Sequence, residues 1–166
     1  KVVSGSMMTT LIADYLSEKN DNLKVVYNVN VSPHALSILE SKGVSLFRCK
    51  VGHSNIKALM KELEADFGGE HSAHFYYKDN YFADSAILTL LMLMSIVSER
   101  GEKVSSMIDK YNFPPSSGEI NFTVENVNIS LDKIKTVFSG NFDELDGLSY
   151  SDENFWFNVR GSNTEP

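Results

Sequence analysis

Between Asp84 and Glu99 the chain runs for fourteen residues, Ser85 to Ser98, without a single charge. That is too short to span a bilayer, which takes roughly 17–25 residues. It is also apolar on every side, unlike a helix that faces water along one flank. Asp84 stands where an N-terminal cap belongs and Gly101 follows the end of the run, so the segment is expected to be a buried core helix, with Met92 and Met94 as packing. Such a helix needs a sizeable core around it. A chain of 166 residues with 42% apolar and 22% charged residues and only four prolines can supply one, since a domain of this size buries about 68–70% of its unfolded surface. Fifteen Lys and Arg against twenty-two Asp and Glu give a net charge of −7, which opposes non-specific attraction to nucleic acid or anionic lipid. Neither partner is expected, and any anionic ligand must be met locally. The one cysteine, Cys49, has no intrachain disulfide partner, which points to a reducing cytoplasm. The chain begins at Lys1 with neither Met nor a signal pattern and reads as part of a longer protein.

The first two-thirds alternates helix and strand signals. Leu11, Ile12, Tyr15 and Leu16 mark an amphipathic helix after Ser4-Gly5-Ser6, and Lys24 to Val29 is a β-branched strand. Ser32 and Pro33 open a short helix that Gly43 ends, Val44 to Arg48 is the next strand, and Ile56, Leu59, Met60 and Leu63 recur at helical spacing up to Asp66 and a break at Gly68-Gly69. Strands alternating with helices predict a layered α/β domain. Phe113-Pro114-Pro115-Ser116-Ser117-Gly118 is the strongest punctuation, because two prolines remove amide donors and hold their neighbours extended. The domain boundary is placed there, giving domains over 1–113 and 114–166. Beyond it, Glu119 to Glu125 alternates as a strand, Leu131, Ile134 and Phe138 suggest a helix capped by Ser130, and Phe155, Phe157 and Val159 alternate again. These fifty or so residues are few for an independent core.

In an acidic protein the acid-free stretches are informative. Arg48-Cys49-Lys50-Val51-Gly52-His53-Ser54-Asn55-Ile56-Lys57 holds three permanent cations and a histidine where a strand turns through Gly52 into a helix. Such a turn presents backbone N–H groups and a favourable dipole to an anion, or else forms an ordinary solvated basic face. Gly68-Gly69-Glu70-His71-Ser72-Ala73-His74 puts a carboxylate, a hydroxyl and two imidazoles in one loop, groups suited to a polyhydroxylated ligand and to proton transfer, or to a structural histidine pair. Without a second cysteine or a helical H-E-x-x-H arrangement the zinc signal is poor. Arg160-Gly161-Ser162-Asn163-Thr164 follows the last strand and offers a guanidinium fork, two hydroxyls and an amide, a phosphate cradle or a polar tail. Together the three stretches suggest a phosphorylated sugar.

Taken in order, Lys50 to Lys57, Gly68 to His74, Gly118-Glu119-Ile120-Asn121 and Asn158 to Pro166 resemble the successive motifs of bacterial phosphomannomutase/phosphoglucomutase enzymes of the α-D-phosphohexomutase family. The resemblance runs over essentially the whole chain. It implies a mixed α/β third domain of a four-domain enzyme, followed by part of an α+β, TATA-box-binding-protein-like fourth domain. In that family a phosphoserine in the first domain phosphorylates a hexose phosphate, forming a hexose 1,6-bisphosphate that returns its other phosphate to the serine. Mg²⁺ on an Asp-rich loop of the second domain balances charge during transfer. Neither loop occurs here, so the resemblance implies a fragment inactive alone, dependent on the remaining domains of its polypeptide. The implied activity is interconversion of mannose 6-phosphate and mannose 1-phosphate, with a phosphoglucomutase or dual-specificity mutase as the alternative and a non-catalytic sugar-phosphate-binding module as the reading from another class.

The family pattern assigns Glu70 and Ser72 to the sugar hydroxyls, His53 and His74 to the neighbourhood of the reacting oxygen, and Lys50 to the wall of the cleft. Arg160, Ser162, Asn163 and Thr164 match the loop that grips the phosphate not being transferred. Two positions depart from it. Asn30 falls where the family carries a titrating Lys or Arg at the end of a strand, and His71 falls where relatives carry Met, Gln or a similar residue. Ala73 and Asn163 favour a phosphomannomutase over a phosphoglucosamine mutase.

Overall fold

The computed structural model describes residues 2–140 and 142–162. The chain divides into two compact units, Lys1–Pro114 and Pro115–Pro166. In the first, α1 (Gly5–Ser17) precedes β1 (Lys24–Asn28), α2 (Pro33–Ser41), β2 (Ser45–Cys49), α3 (His53–Leu63), β3 (Phe67–Gly69), β4 (Phe75–Tyr77), β5 (Ala83–Asp84), α4 (Ala86–Arg100) and α5 (Val104–Lys110). The five strands form one mixed sheet in the order β2-β1-β3-β4-β5. The first three are parallel, and β4 and β5 add as antiparallel neighbours. This is the mixed α/β layering that the alternating signals predict.

Successive residues of β1 serve opposite faces. Val25 joins Leu11, Ile12, Leu39, Phe67, Ile96 and Met107 in the core beneath α1, α2, α4 and α5, whereas Val26 joins Ile56, Met60 and Tyr76 beneath α3. Both faces of the sheet are therefore covered, as parallel strands require. The Gly68-Gly69 pair, expected as a break, lies in the fully buried strand β3. A Cβ on Gly68 would come within 2.6 Å of Met60 Sδ, and one on Gly69 would collide with the Thr9 side chain. The glycines mark where α3 and α1 press onto the strand from its two sides.

Helix α4 departs furthest from expectation. It ends at Gly101 as the sequence indicates, but Ser85 caps it, the hydroxyl accepting from Leu88 N–H at 3.2 Å, while Asp84 closes β5. It is also not buried on all sides. Ile96 is enclosed and Leu93 and Val97 pack on the core, but Ile87, Leu90, Leu91 and Met94 face outward. One stripe of the helix packs on the core of this unit, and the remainder packs on none of that unit's described residues. No helix of the described residues is long and apolar enough to cross a membrane.

Beneath α1 lies a buried ionic node. Asp14 accepts from Tyr111 Oη and pairs with Lys42, while Arg100 reaches it at 3.3 Å and Glu18 at 2.5 Å. Burial alone pushes the Asp14 carboxyl up, but the Lys42 and Tyr111 hydrogen bonds and the Lys42 and Arg100 charges outweigh it and hold the carboxyl below its ordinary value.

In the second unit α6 (Val127–Val137) precedes β6 (Phe142–Asp143), β7 (Leu148–Ser151) and β8 (Trp156–Val159), which form an antiparallel sheet in that order. Phe138, Phe142, Tyr150, Phe155 and Phe157 cluster around it, with ring centroids 5.1–5.9 Å apart in most pairs. The expected helix starts earlier than foreseen, with Asn126 as its cap and Ser130 inside its first turn. The expected strand from Glu119 to Glu125 does not form: its backbone joins no described sheet, and Ile120, Phe122 and Val124 are exposed. Alternation makes a strand competent to pair, but pairing needs a partner edge.

Candidate functional site

The first unit collects its chemistry at one edge. Strands β2, β1 and β3 run parallel, so the segments that leave their carboxyl ends emerge on the same side of the sheet. These are Lys50–Gly52 after β2, Val29–Ser32 after β1 and Glu70–His74 after β3. In open α/β sheets this edge is where ligands are received, because helices return from it and leave a crevice between the loops. The structure thus brings to one edge Asn30, Lys50, His53, Glu70, Ser72 and His74. Arg160 and Ser162 follow β8 in the second unit, while Asn163 and Thr164 lie outside the described residues.

The Glu70–His74 loop is a built arrangement. Glu70 N–H donates to His74 O and Ala73 N–H to Glu70 O, each at 3.1 Å, which folds the loop back on itself and carries Ala73 into the left-handed region at φ 66°. The Glu70 side chain points inward, with 4% of the residue exposed. Oε1 accepts from Tyr76 Oη at 3.1 Å and Oε2 from Ser72 Oγ at 2.9 Å, with Ser72 Oγ also 3.1 Å from His74 Nδ1. Each carboxylate oxygen keeps a further lone pair for another donor. Burial, followed by the neighbouring Glu70 charge and hydrogen bond, pushes the Tyr76 hydroxyl well above its ordinary value, so it stays a donor to Glu70. The two imidazoles part company: His74 turns to Ser72, and His71 Nδ1 lies 2.9 Å from Ser6 Oγ.

Ser6 was not foreseen, and it ties two of the loops together. The same hydroxyl that meets His71 accepts from Ser32 N–H at 3.2 Å. A Cβ on the preceding Gly5 would strike Glu70 O and His71 O, so the first turn of α1 lies directly against the loop. Asn28 is a second such residue. It is buried, and its Oδ1 accepts from Asn30 N–H at 3.2 Å, which fixes the bend after β1. Tyr76 is the third. Ser6 lies 26 and 65 positions from the groups it holds, Tyr76 holds Glu70 from the neighbouring strand, and Asn28 acts only two residues away; no motif announces them.

The acid-free segment after β2 divides on folding. Lys57 lies 3.7 Å from Asp84 and 5.9 Å from the Tyr76 ring centroid, so part of its charge is answered. Lys50 is exposed and has no hydrogen-bond or ion-pair partner among the described residues, and His53 is the exposed first residue of α3, entered through Gly52 at φ 122°. Cys49 is buried at the strand end. No group of three or more His, Cys, Asp or Glu side chains among the described residues stands close enough together to hold a metal ion.

Residues 4–112 match the family described as phosphoglucomutase/phosphomannomutase, alpha/beta/alpha domain III. A phosphomannomutase of Methanocaldococcus jannaschii is 38% identical over 99% of this chain, and a phosphohexose mutase of Xanthomonas campestris is 31% identical over 100% of this chain. Among solved structures, a phosphoglucomutase/phosphomannomutase family protein of Burkholderia thailandensis superposes over the whole chain with a TM-score of 0.87 at 24% identity. An N-acetylphosphoglucosamine mutase of Aspergillus fumigatus, solved with GlcNAc-6P and magnesium, superposes over 99% of it with a TM-score of 0.63. The chain belongs to the phosphoglucomutase/phosphomannomutase family. It spans 37% of the length of the Methanocaldococcus protein and 38% of the Xanthomonas one.

Proposed function

We propose that this chain is the sugar-phosphate-holding part of a longer hexose-phosphate mutase that interconverts mannose 6-phosphate and mannose 1-phosphate through a phosphoserine and a bisphosphate intermediate. The observation that carries this reading is Glu70. A buried carboxylate that meets, among the described residues, two hydroxyls and one imidazole is costly to maintain unless its remaining acceptor capacity is used, and Glu70 stands in the loop where the family grips sugar hydroxyls.

In this reading Glu70 and Ser72 accept from and donate to adjacent hydroxyls and so set which face of the hexose meets the phosphoryl donor. Tyr76 keeps Glu70 in place. His74 and His53 stand at the mouth of the edge and exchange protons with the reacting oxygen, and Lys50 adds an exposed positive charge for a phosphate. Arg160 and Ser162, with Asn163 and Thr164, hold the phosphate that is not transferred by a guanidinium fork and hydroxyl donors. The phosphoserine and the Mg²⁺ site belong to other parts of the polypeptide.

A full-length polypeptide carrying this sequence is expected to isomerise mannose 1-phosphate in the presence of a catalytic amount of hexose bisphosphate; no turnover of any hexose phosphate refutes the proposal. In that protein Arg160→Ala is expected to raise KM about 10- to 100-fold by removing charge-assisted contacts, and an unchanged KM refutes the phosphate role. Comparing kcat/KM on mannose and glucose phosphates separates a phosphomannomutase from a phosphoglucomutase or dual-specificity enzyme. Asn30 favours the second reading, a non-catalytic sugar-phosphate-binding module, because an amide at the end of β1 does not titrate. That reading predicts ligand binding without turnover.

A further inference from the structure

His71 has no part in the proposed chemistry, yet its ring reaches out of the loop to two other segments. Nδ1 lies 2.9 Å from Ser6 Oγ on the first turn of α1, and that same oxygen accepts from Ser32 N–H at 3.2 Å. Ser6 is 2% exposed, so the destination of its own proton matters. If the hydroxyl donates to Nδ1, all three polar groups are satisfied and the imidazole is neutral, with its proton on Nε2. If Nδ1 carries a proton instead, Oγ accepts twice and the Ser6 hydroxyl donates to nothing among the described residues, a cost in a buried group. The neutral imidazole therefore makes the better tie.

The packing around this contact backs the loop from behind. A Cβ on Gly5 would strike Glu70 O and His71 O, and one on Gly69 would strike Thr9, so α1 lies flush along the end of β3 and the start of the loop. The Glu70 side chain reaches the other way, to Tyr76 of the core beneath α3. Few charges surround His71. Gly5 to Ile12 of α1 and Val29 to Ser32 after β1 carry none. Glu70 is held by Tyr76 and Ser72, His74 meets Ser72, and His34 of α2 is engaged with Tyr111 O at 2.7 Å.

We infer that His71 is a positioning residue: in its neutral form it clamps the Glu70–His74 loop, through Ser6, to the bend after β1, and its protonation loosens that clamp. The inference deepens the proposed function and rests on it for what the loop holds. One hydroxyl sets the spacing between the segment of Asn30 and the pair Glu70 and Ser72. A ligand bridging the two segments meets them already in place, whereas a loosened loop must be ordered at the expense of binding. The effect falls on affinity more than on turnover.

The test uses the longer polypeptide. His71→Phe keeps a ring and loses the acceptor, whereas His71→Asn keeps an acceptor oxygen and takes up no charge. Hydrogen exchange read by mass spectrometry at about pH 8, where imidazoles are neutral, is expected to be several-fold faster over residues 70–74 in His71→Phe and in Ser6→Ala. In His71→Asn it is expected to match the unaltered protein, and slow exchange over β1 in every variant shows that the unit remains folded. Calorimetric Kd for mannose 1-phosphate is expected to rise about two- to tenfold in His71→Phe, the worth of one hydrogen bond, with a smaller change in kcat, and to be restored in His71→Asn. As pH falls from about 8 to about 5, Kd of the unaltered protein divided by that of His71→Asn is expected to climb by a similar factor, since the other titrating groups are common to both. A flat ratio overturns the inference, as does loop exchange in His71→Phe equal to that of the unaltered protein. Faster exchange with an unchanged Kd overturns it too, because the clamp is then only a structural contact. Turnover with any of these three results refutes the clamp alone; the expected exchange and Kd pattern without turnover refutes the mutase reading alone; and a protein that binds no hexose phosphate refutes both.

Discussion

Two carboxylates in the first unit are almost equally withdrawn from water, Asp14 at 3% exposure and Glu70 at 4%, and they are treated in opposite ways. Asp14 is surrounded by Lys42, Arg100 and the Tyr111 hydroxyl, so its charge is answered inside the fold. Glu70 has a tyrosine and a serine hydroxyl, and its nearest basic group among the described residues is His74, 3.8 Å away and charged only when protonated. A tyrosine donates to each, but only one has cations. The difference teaches that Asp14 is spent on holding α1, α2, α4 and α5 together, whereas Glu70 keeps capacity for a ligand. Burial alone does not separate a structural acid from a functional one; the charge of its partners does.

The largest effect should come from Asp14. Asp14→Asn leaves Lys42 and Arg100 facing an uncharged amide; because Lys42 reaches solvent and Arg100 keeps Glu18, the cost is that of lost charged hydrogen bonds, about 1.5–3 kcal/mol. Urea denaturation of the variant is expected to show a large fall in midpoint, and an unchanged midpoint would remove the structural half of the comparison. Glu70→Gln should behave in reverse. It removes a buried charge that no Lys or Arg among the described residues answers, so the midpoint stays or rises, while kcat/KM of the full-length protein on hexose phosphates falls about 10- to 100-fold through lost charged hydrogen bonds. A variant that unfolds readily and keeps its activity would invert the assignment. Tyr76→Phe is milder: losing one hydrogen bond costs about 0.5–1.5 kcal/mol, and the loosened Glu70 should lower kcat/KM several-fold, a loss that Glu70→Gln combined with Tyr76→Phe does not deepen.

The smallest effect is in pH. The folded Asp14 carboxyl titrates below its ordinary value of 3.8, so its stabilisation is fully present above that pH and is lost as pH falls through the lower folded value. Denaturation midpoints should therefore decline below about pH 4 in the unaltered chain and decline less in Asp14→Asn. Parallel curves for the two would show that other carboxylates govern acid stability.

Much of the first unit was legible from residue order. Val25, Val26, Leu39 and Ile56 occupy positions whose spacing already assigns strand or helix, and β1, α2, β2 and α3 emerge close to expectation, whereas β4, β5 and α5 were not foreseen. Three expectations failed, two in this unit and one in the second. Gly68 and Gly69 read as a break because two glycines weaken any isolated element, yet the closeness of Met60 and Thr9 admits nothing larger. The Ser85–Ser98 run read as buried on all sides because hydropathy counts apolar residues and not the surfaces available to cover them. Glu119 to Glu125 has the alternation of a strand and no edge to join in the described sheets.

The candidate site divides the same way. Lys50, His53, Glu70, Ser72, His74 and Arg160 stand in contiguous motifs, so their kinds and order identified the family before any fold was known. Ser6, Asn28 and Tyr76 carry no motif: Ser6 holds groups 26 and 65 residues away, and what Asn28 and Tyr76 hold is set by how the backbone turns after β1 and by the pairing of β3 with β4. The sequence alone determined the helix–strand alternation from α1 to α3 and which chemistry the loops carry, since periodicity and side-chain type are local properties. Only the tertiary structure decided that three loops share one sheet edge, that Asp14 and not Glu70 receives the cations, and that one face of α4 is left uncovered. Each of those depends on which distant surfaces meet.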